Sequence, residues 1–131
     1  MTITYEWRGE IENEALDALH AEGFGHPVQG ADRTARLYGH SLGWVCARHD
    51  GELVGFVNVA WDGGAHAFLL DTVVAPAHRR AAVGSELVAE AARGAGRAGC
   101  AWLHVDFEDG LRPFYLDACG FRPTAAGLIP L

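Results

Sequence analysis

The chain contains no lysine, and all ten of its basic residues are arginine. Against them stand 17 acidic residues, so the formal charge is −7. Non-specific binding to nucleic acid or to an anionic membrane surface needs net or clustered positive charge. The composition therefore argues against both kinds of partner.

Long apolar runs and clustered cysteines are also missing. No stretch approaches the ~20 apolar residues that a membrane helix needs, and the first ten residues are polar and acidic, unlike a signal peptide. The three cysteines, Cys46, Cys100 and Cys119, fit neither a disulfide framework nor a CxxC metal pair. These absences predict a cytoplasmic protein without a metal site.

The length of 131 residues predicts one domain spanning residues 1–131. Half of the residues are hydrophobic and 21% are charged, which is typical of a globular protein. The charge is unevenly spread, because residues 1–71 hold eleven acids and four arginines, whereas residues 72–131 hold six of each. The whole acidic excess therefore lies in the first half.

Hydrophobic periodicity predicts strands and two helices in the first half of the chain. Asp50-Gly51 and Asp62-Gly63-Gly64 are turn signals, and they separate three strands that we expect to form an antiparallel meander. The predicted strands are 2–7, 44–48, 53–61 and 66–74, and the predicted helices are 10–21 and 31–40.

After Pro76 the spacing of the hydrophobic residues changes from that of a strand to that of a helix. This change predicts a crossover helix followed by a strand that runs parallel to the strand 66–74. The fold class is therefore α/β in the broad sense, a mixed α+β sheet with flanking helices. The predicted elements are helix 79–97, strand 101–107, helix 111–119 closed by Gly120, and terminal strands 121–123 and 128–131.

The segment from Val74 to Val88, VAPAHRRAAVGSELV, joins a strand to a helix and is a candidate anion site. Small residues at a helix start leave backbone N–H groups uncovered, and these groups and the helix dipole attract an anion such as a pyrophosphate. Two arginines add positive charge. The alternative is an alanine-rich helix start with solvated arginines. The candidate binding residues are Arg79, Arg80, Ala81, Ala82, Val83, Gly84 and Ser85.

The letters V-A-P-A-H-R-R-A-A-V-G from Val74 to Gly84 resemble the acetyl-CoA-binding motif of the GNAT acyltransferases, V-x-P-x-x-[QR]-x-x-G-x-[GA]. A second GNAT signature, a helical tyrosine followed by Gly-Phe, is similar to residues 114–121, FYLDACGF. The two motifs stand in the expected order behind a matching series of strands. The resemblance therefore covers nearly the whole chain.

Two positions depart from the family pattern. Ala82 stands where the family usually has glycine, and its methyl group narrows the approach of the backbone to a pyrophosphate. Glu108 stands where the family often has a cofactor-binding asparagine, and a carboxylate lacks the amide's donor. These departures leave an alternative open, a non-catalytic acyl-CoA-binding or protein-interaction module on the same fold.

The resemblance implies a GNAT fold in which the strand 66–74 splays away from its parallel neighbour. The pantetheine arm of acetyl-CoA, the co-substrate, would lie in that cleft against the backbone of Thr72, Val73 and Val74. One N–H group near Val73 would polarise the thioester carbonyl. A primary amine would attack the acetyl carbon directly, so both substrates must be bound together.

The resemblance assigns Tyr115 the role of general acid toward the CoA sulfur. A phenol suits this role, because its reference pKa of about 10 lies above the value of about 8.5 for a thiol. The alternative for Tyr115 is an aromatic ring packed under the cleft.

Two residues are candidates for the general base. His104 lies where ribosomal-protein N-terminal acetyltransferases of this family carry a glutamate, and a neutral imidazole accepts a proton near pH 7. Asp71 lies in an apolar strand, where a carboxylate is either paired or poised for proton transfer. The alternative for each is structural, and a base acting through water would need neither.

The resemblance places the acceptor beside the first strands and helices, which is the acidic half of the chain. It therefore implies a cationic acceptor, either a small-molecule amine or a peptide amino terminus. It also implies a homodimer, since family members often pair through the terminal strands. Aromatic residues available to enclose the acceptor are Phe24, His26, Tyr38, His40, Trp44 and Trp61, although the two tryptophans could instead pack the meander.

Overall fold

The computed structural model describes residues 2–79 and 81–131, so the candidate Arg80 lies outside the described residues. Two short 3₁₀ turns, Pro76–His78 and Asp109–Leu111, and a π-type helix, Pro113–Ala118, accompany the main elements. The main elements in chain order are β1 (Ile3–Trp7), α1 (Asn13–Phe24), α2 (Arg33–His40), β2 (Ser41–His49), β3 (Glu52–Trp61), β4 (His66–Val74), α3 (Val83–Arg97) and β5 (Trp102–His104).

The five strands form one mixed sheet in the order β1-β2-β3-β4-β5. The first four are antiparallel neighbours, and β4 pairs with β5 in parallel. The turn between β2 and β3 is a two-residue hairpin in which Asp50 and Gly51 have φ values of 49° and 81°, as a primed turn requires. The predicted mixed sheet with its meander is confirmed.

Helices pack on both faces of the sheet, so β4 contributes to two hydrophobic clusters. The helix α3 covers one face, and α1 with α2 covers the other. The α3 cluster includes Val57, Leu69, Leu87 and Ala91, and the α1–α2 cluster includes Leu16, Leu37, Phe56 and Val73. No helix among the described residues has the length and apolar character needed to cross a membrane.

The helix α1 begins and ends three residues later than predicted. Gly23 and Gly25 were expected to end it, but Gly23 is still helical, and a Cβ there would lie 2.0 Å from Cγ2 of Val73. The helix ends instead at Gly25, which has φ 73° and donates its N–H to the carbonyl of Ala21. Gly23 thus serves close packing between α1 and β4.

The start of α3 was predicted too early, at residue 79. The residues Pro76–His78 form a 3₁₀ turn, and Ala82 takes a left-handed conformation with φ 59°, so the helix begins at Val83. This left-handed residue separates the loop from the helix.

The end of the chain differs most from the prediction. The strand predicted over 101–107 covers only Trp102–His104, because its pairing with β4 stops at Phe68 opposite His104. The terminal strands predicted at 121–123 and 128–131 were wrong, since the described residues after Ala118 form no regular element. Such a short β5 offers little edge for pairing, and Pro123 and Pro130 lack the N–H donors that a ladder needs.

Candidate active site

The candidate active site is the cleft that opens where β4 and β5 separate. The two strands pair only from His66 opposite Trp102 to Phe68 opposite His104, so the rest of β4 has no strand partner on that edge among the described residues. A cavity of about 880 Å³ begins there, and its apolar wall includes Leu70, Val105, Phe107 and Leu116. The wall of this cavity is therefore largely apolar.

A bulge in β4 lies at the mouth of this cleft. The register with β3 shifts between Phe56 opposite Val73 and Asn58 opposite Leu70, and Asp71 has φ 56°. The bulge changes the alternation of side chains, so Val73 packs in the α1–α2 cluster and Val74 packs against the α3 cluster. Bulges of this kind redirect side chains beside functional sites.

The hydrogen bonds at the end of β4 show which backbone groups face the cleft. Ala75 donates its N–H to the carbonyl of Val54 on β3 at 2.8 Å. Residues opposite each other in an antiparallel pair alternate between bonded and non-bonded positions. The N–H and C=O of Val74 therefore point away from β3 into the cleft, whereas those of Val73 point toward β3.

Tyr115 lies on the Pro113–Ala118 helix beneath the cleft and is 8% exposed. Its ring stacks on Phe107 at 4.9 Å and meets Phe114 edge-on at 4.8 Å. Burial raises the pKa of the phenol, and hydrogen bonding with the Thr72 side chain opposes this shift. Tyr115 is thus packed in aromatic surroundings, and it remains protonated at neutral pH with its hydroxyl beside β4.

The turn that carries Tyr115 is wider than an α-helical turn. Cys119 donates its N–H to the carbonyl of Phe114 at 3.0 Å, a bond across five residues. Such π-type turns are rare and occur often at functional sites. The sequence predicted an α-helix at 111–119. A helix does lie there, but over Pro113–Ala118 it is of the π type.

The start of α3 presents uncovered backbone N–H groups. Ala82 has no side-chain acceptor to cap the helix, and the Ser85 hydroxyl donates to the carbonyl of Ala82 at 3.1 Å. The first N–H groups of a helix have no partner within the helix. Ala81 and Ala82 are exposed, so an anion can reach this end. The residues present fit a pyrophosphate group.

Close packing joins α3 to the helix that carries Tyr115. A Cβ at Gly84 would lie 3.1 Å from two ring atoms of Phe114, which in turn contacts Tyr115. The glycine at this position of the motif therefore brings the anion-binding end of α3 and the tyrosine together.

Replacing Ala82 by glycine should stabilise the protein and strengthen CoA binding. A left-handed conformation strains alanine but not glycine, so we expect Ala82→Gly to raise the free energy of unfolding by about 0.5–1 kcal/mol. Urea unfolding and calorimetric titration with CoA measure the two effects. Ala98→Gly at the other end of α3 is the matched control, since φ of Ala98 is −78°, and it should destabilise slightly. If both variants changed the free energy of unfolding and the CoA affinity equally, the left-handed conformation of Ala82 could not be the cause.

Arg79 is held in place by backbone carbonyl groups. Its guanidinium donates from Nε to Val74 at 3.3 Å and from Nη2 to Gly23 at 3.0 Å. It therefore joins the end of β4 to the end of α1, and its positive charge is fixed beside the cleft. A carbonyl oxygen can accept a second hydrogen bond, so Val74 keeps capacity for a ligand.

The structure places His104 at the closed end of the cleft. Its Nε2 lies 2.8 Å from Nδ1 of His66, and its ring stacks on Phe68 at 4.7 Å. Phe68 precedes Thr72 by four residues, which is about 13 Å along a strand. His104 is therefore not brought together with Tyr115 and Thr72, and the structure favours its role in the sheet.

Asp71 lies at the open end, on the α1 side of the bulge. Its Oδ1 is 3.7 Å from Nε2 of His20, and its side chain is 44% exposed. His20 was not among the predicted site residues, because no motif marks a histidine in the middle of an amphipathic helix. Only the packing of α1 against the β4 bulge reveals it.

Most of the predicted acceptor-side aromatics remain accessible. Phe24, Tyr38 and Trp61 are 50%, 63% and 37% exposed. Trp44 is buried, and its Nε1 donates to the carbonyl of Gly9 at 2.9 Å. Trp44 thus packs the meander.

Neither a cysteine nucleophile nor a metal centre is favoured in the part of the chain that the structure describes. Burial raises the pKa of Cys119, which disfavours the reactive thiolate. No group of three or more His, Cys, Asp or Glu side chains there could hold a metal ion. Tyr115, backbone groups and the ionisable residues beside Asp71 are the candidates for chemistry in the cleft.

A family described as the acetyltransferase (GNAT) family matches residues 6–121. The chain belongs to this family, which confirms the resemblance found in the sequence. It is also 33% identical over 114 residues to the mycothiol acetyltransferase of Nocardia farcinica (strain IFM 10152). That match covers 79% of this chain but 37% of the relative, so the chain spans well under half of the relative's length.

Solved structures of the same fold cover the whole chain. A GNAT family acetyltransferase of Streptococcus pneumoniae TIGR4 has a TM-score of 0.80 and 21% identity, over 99% of this chain and 98% of the other. An aminoglycoside N-acetyltransferase, solved with the bisubstrate analogue CoA-S-monomethyl-acetylneamine, has a TM-score of 0.75 and 21% identity, over 100% and 98%. At these identities the likeness concerns the fold.

Proposed function

We propose that the chain transfers the acetyl group of acetyl-CoA to a primary amine that attacks directly while both substrates are bound. The observation that carries the proposal is the stacking of Tyr115 on Phe107, which lines the cavity that opens where β4 has separated from β5. Family membership supports the acetyl transfer. The complex of an aminoglycoside relative with a bisubstrate analogue supports direct attack.

Each part of the cleft has a separate task in this proposal. Acetyl-CoA supplies an acetyl group that is activated as a thioester. The N–H groups at the start of α3 hold the pyrophosphate. The N–H of Val74 points into the cleft, so we assign it the polarisation of the thioester carbonyl that the resemblance gave to the region of Val73. Tyr115 donates a proton to the departing sulfur.

We also propose a cationic acceptor. Asp71 lies at the mouth of the cleft on the side of α1, and the acidic excess of the chain lies in residues 1–71. A carboxylate at a partly desolvated mouth attracts an ammonium group more strongly than it would in water. A small polyamine, an aminoglycoside or a peptide amino terminus has the required charge.

Thiol release from acetyl-CoA over a panel of amines tests the proposed function. We expect turnover with at least one primary amine, and a kcat/KM for diamines about tenfold or more above that for monoamines of equal length, because the second ammonium meets the acidic side. The preference should shrink as salt is added. Tight CoA binding without turnover of any amine would instead favour the acyl-CoA-binding module, and equal rates for both amines would contradict the cationic preference.

Three broader expectations belong to the same proposal. We infer one domain over residues 1–131, a cytoplasmic location, and no nucleic-acid or membrane partner. A homodimer remains a prediction as well. The terminal strands through which it was expected to pair are not formed in the described residues. Sedimentation at several concentrations measures the oligomeric state.

A further inference from the structure

Two histidines and one aspartate form a connected chain on the α1 side of the cleft. Nε2 of His26 lies 2.6 Å from Nδ1 of His20, and Nε2 of His20 lies 3.7 Å from Oδ1 of Asp71. The three residues come from α1, from the loop that follows it and from the β4 bulge. Nothing in the family motifs of this sequence includes His20.

The hydrogen bonds fix which nitrogens carry protons when both rings are neutral. Nδ1 of His26 lies 2.7 Å from the carbonyl oxygen of Pro27. A carbonyl only accepts, so this nitrogen is the donor and Nε2 of His26 is an acceptor. Nδ1 of His20 must then donate to it at 2.6 Å. The remaining nitrogen of His20, Nε2, then carries the free lone pair at 3.7 Å from Oδ1 of Asp71. The carboxylate stabilises this nitrogen once it has taken up a proton.

The acceptor amine is an ammonium ion at neutral pH and must lose a proton before it can attack. Resting on the proposed acetyltransferase function, we propose that Nε2 of His20 is the base that takes this proton, with Asp71 as counter-ion and His26 as relay. His20 is thereby a catalytic residue, and His26 is a positioning residue that acts through it.

The proton and electron changes balance over one turnover. The ammonium binds beside Asp71 and gives its proton to Nε2 of His20. The proton on Nδ1 of His20 moves to Nε2 of His26 and returns after product release, when Nε2 of His20 gives its proton to solvent. The free amine forms the N–C bond, and the C–S bond breaks with its electron pair on sulfur, which takes the proton of Tyr115. The nitrogen loses its second proton as the amide forms, and this proton restores the Tyr115 phenol.

The charges around His20 favour its neutral, basic form. The groups that face it are Asp71 from β4, His26 from the loop and Arg33 from α2. Burial and the Arg33 charge lower the pKa of His20, while Asp71 opposes them. Arg33 is fixed by Asp17, whose Oδ1 accepts from Nε at 2.9 Å. Since the pKa is lowered from the usual ~6.5, the lone pair is available at pH 7.

The pH dependence of the reaction tests this assignment. In the wild type kcat should fall as pH drops through the lowered pKa of His20, so the acid limb should lie below pH ~6.5. We expect His20→Gln to lower kcat at pH 7 by about tenfold to 100-fold and to remove this limb. The effect is at the lower end for a general base because water and Asp71 remain.

A second histidine–aspartate pair provides the matched control. His49 Nε2 lies 3.6 Å from Oδ2 of Asp50 at the β2–β3 hairpin, outside the cleft. His49→Gln should leave both kcat and the acid limb unchanged. A His20→Gln variant that keeps the wild-type limb would overturn the proposal, even if its rate were lower through a structural effect.

Nitrogen NMR of the imidazole rings gives a readout that does not depend on activity. We expect the neutral rings of His20 and His26 both to carry their proton on Nδ1. A proton on Nε2 of neutral His20 would overturn the relay, whether or not the enzyme is active. If the wild type acetylates no amine while the tautomers are as expected, the proposed function fails and the catalytic role of His20 fails with it.

Discussion

Replacing Tyr115 by phenylalanine should lower kcat by about 10²- to 10³-fold, which is the usual contribution of a positioned proton donor. The change removes only the hydroxyl beside Thr72 and keeps the ring that stacks on Phe107. The free energy of unfolding should therefore change by about 1 kcal/mol or less, because the packing of the ring is kept. Steady-state kinetics and urea unfolding of the same preparation measure both quantities.

Two observations separate catalysis from packing in this experiment. Tyr5→Phe is the matched control, since Tyr5 lies on β1, at the edge of the sheet opposite β5; it should keep the wild-type rate. CoA affinity should be retained in Tyr115→Phe, because the phenol acts on the sulfur only as it leaves. A Tyr115→Phe variant with wild-type kcat would show that the ring serves packing alone.

Replacing Gly23 by alanine should separate α1 from β4 and impair both stability and activity. The new Cβ would lie 2.0 Å from Cγ2 of Val73, a buried and stiff β-branched side chain. Overpacking of this kind costs about 1–3 kcal/mol in the free energy of unfolding. Activity should fall as well, because α1 carries His20 and the carbonyl of Gly23 accepts from Arg79. Urea unfolding and kcat/KM measure the change.

The double variant Gly23→Ala/Val73→Ala tests the stated cause. Removing the methyl groups of Val73 makes room for the new Cβ, so the double variant should be more stable than additivity predicts. Gly39→Ala on α2 is the control, since nothing lies within 4 Å of a Cβ there, and it should be neutral or stabilising. Strict additivity of Gly23→Ala and Val73→Ala would contradict close packing as the reason for glycine.

The sequence alone predicted correctly those features whose structural determinants are local. The strand β4 has the predicted bounds, 66 and 74, because the turn at Asp62-Gly63-Gly64 and Pro76 delimit it. Two motifs in order were enough to predict the family and the splayed cleft. The second motif placed Tyr115 correctly on a short helix before Gly120, whereas the predicted start of α3 was four residues too early.

The features that the sequence could not predict depend on contacts between distant segments. The bulge at Asp71 exists only in register with β3, and the short β5 is the result of separation from β4. The His26–His20–Asp71 chain joins residues that are 6 and 51 positions apart along the sequence. Nothing local distinguishes His20 from a surface histidine, so His104 was the more evident candidate for the base.

A crystal structure with CoA and an unreactive amine analogue tests the central claim most directly. We expect the sulfur within hydrogen-bonding distance of Tyr115 and the pyrophosphate on the N–H groups that begin α3. The amine should lie on the α1 side, against Asp71 and Nε2 of His20. A sulfur outside the cleft between β4 and β5, or an amine bound beside His104, would contradict this account.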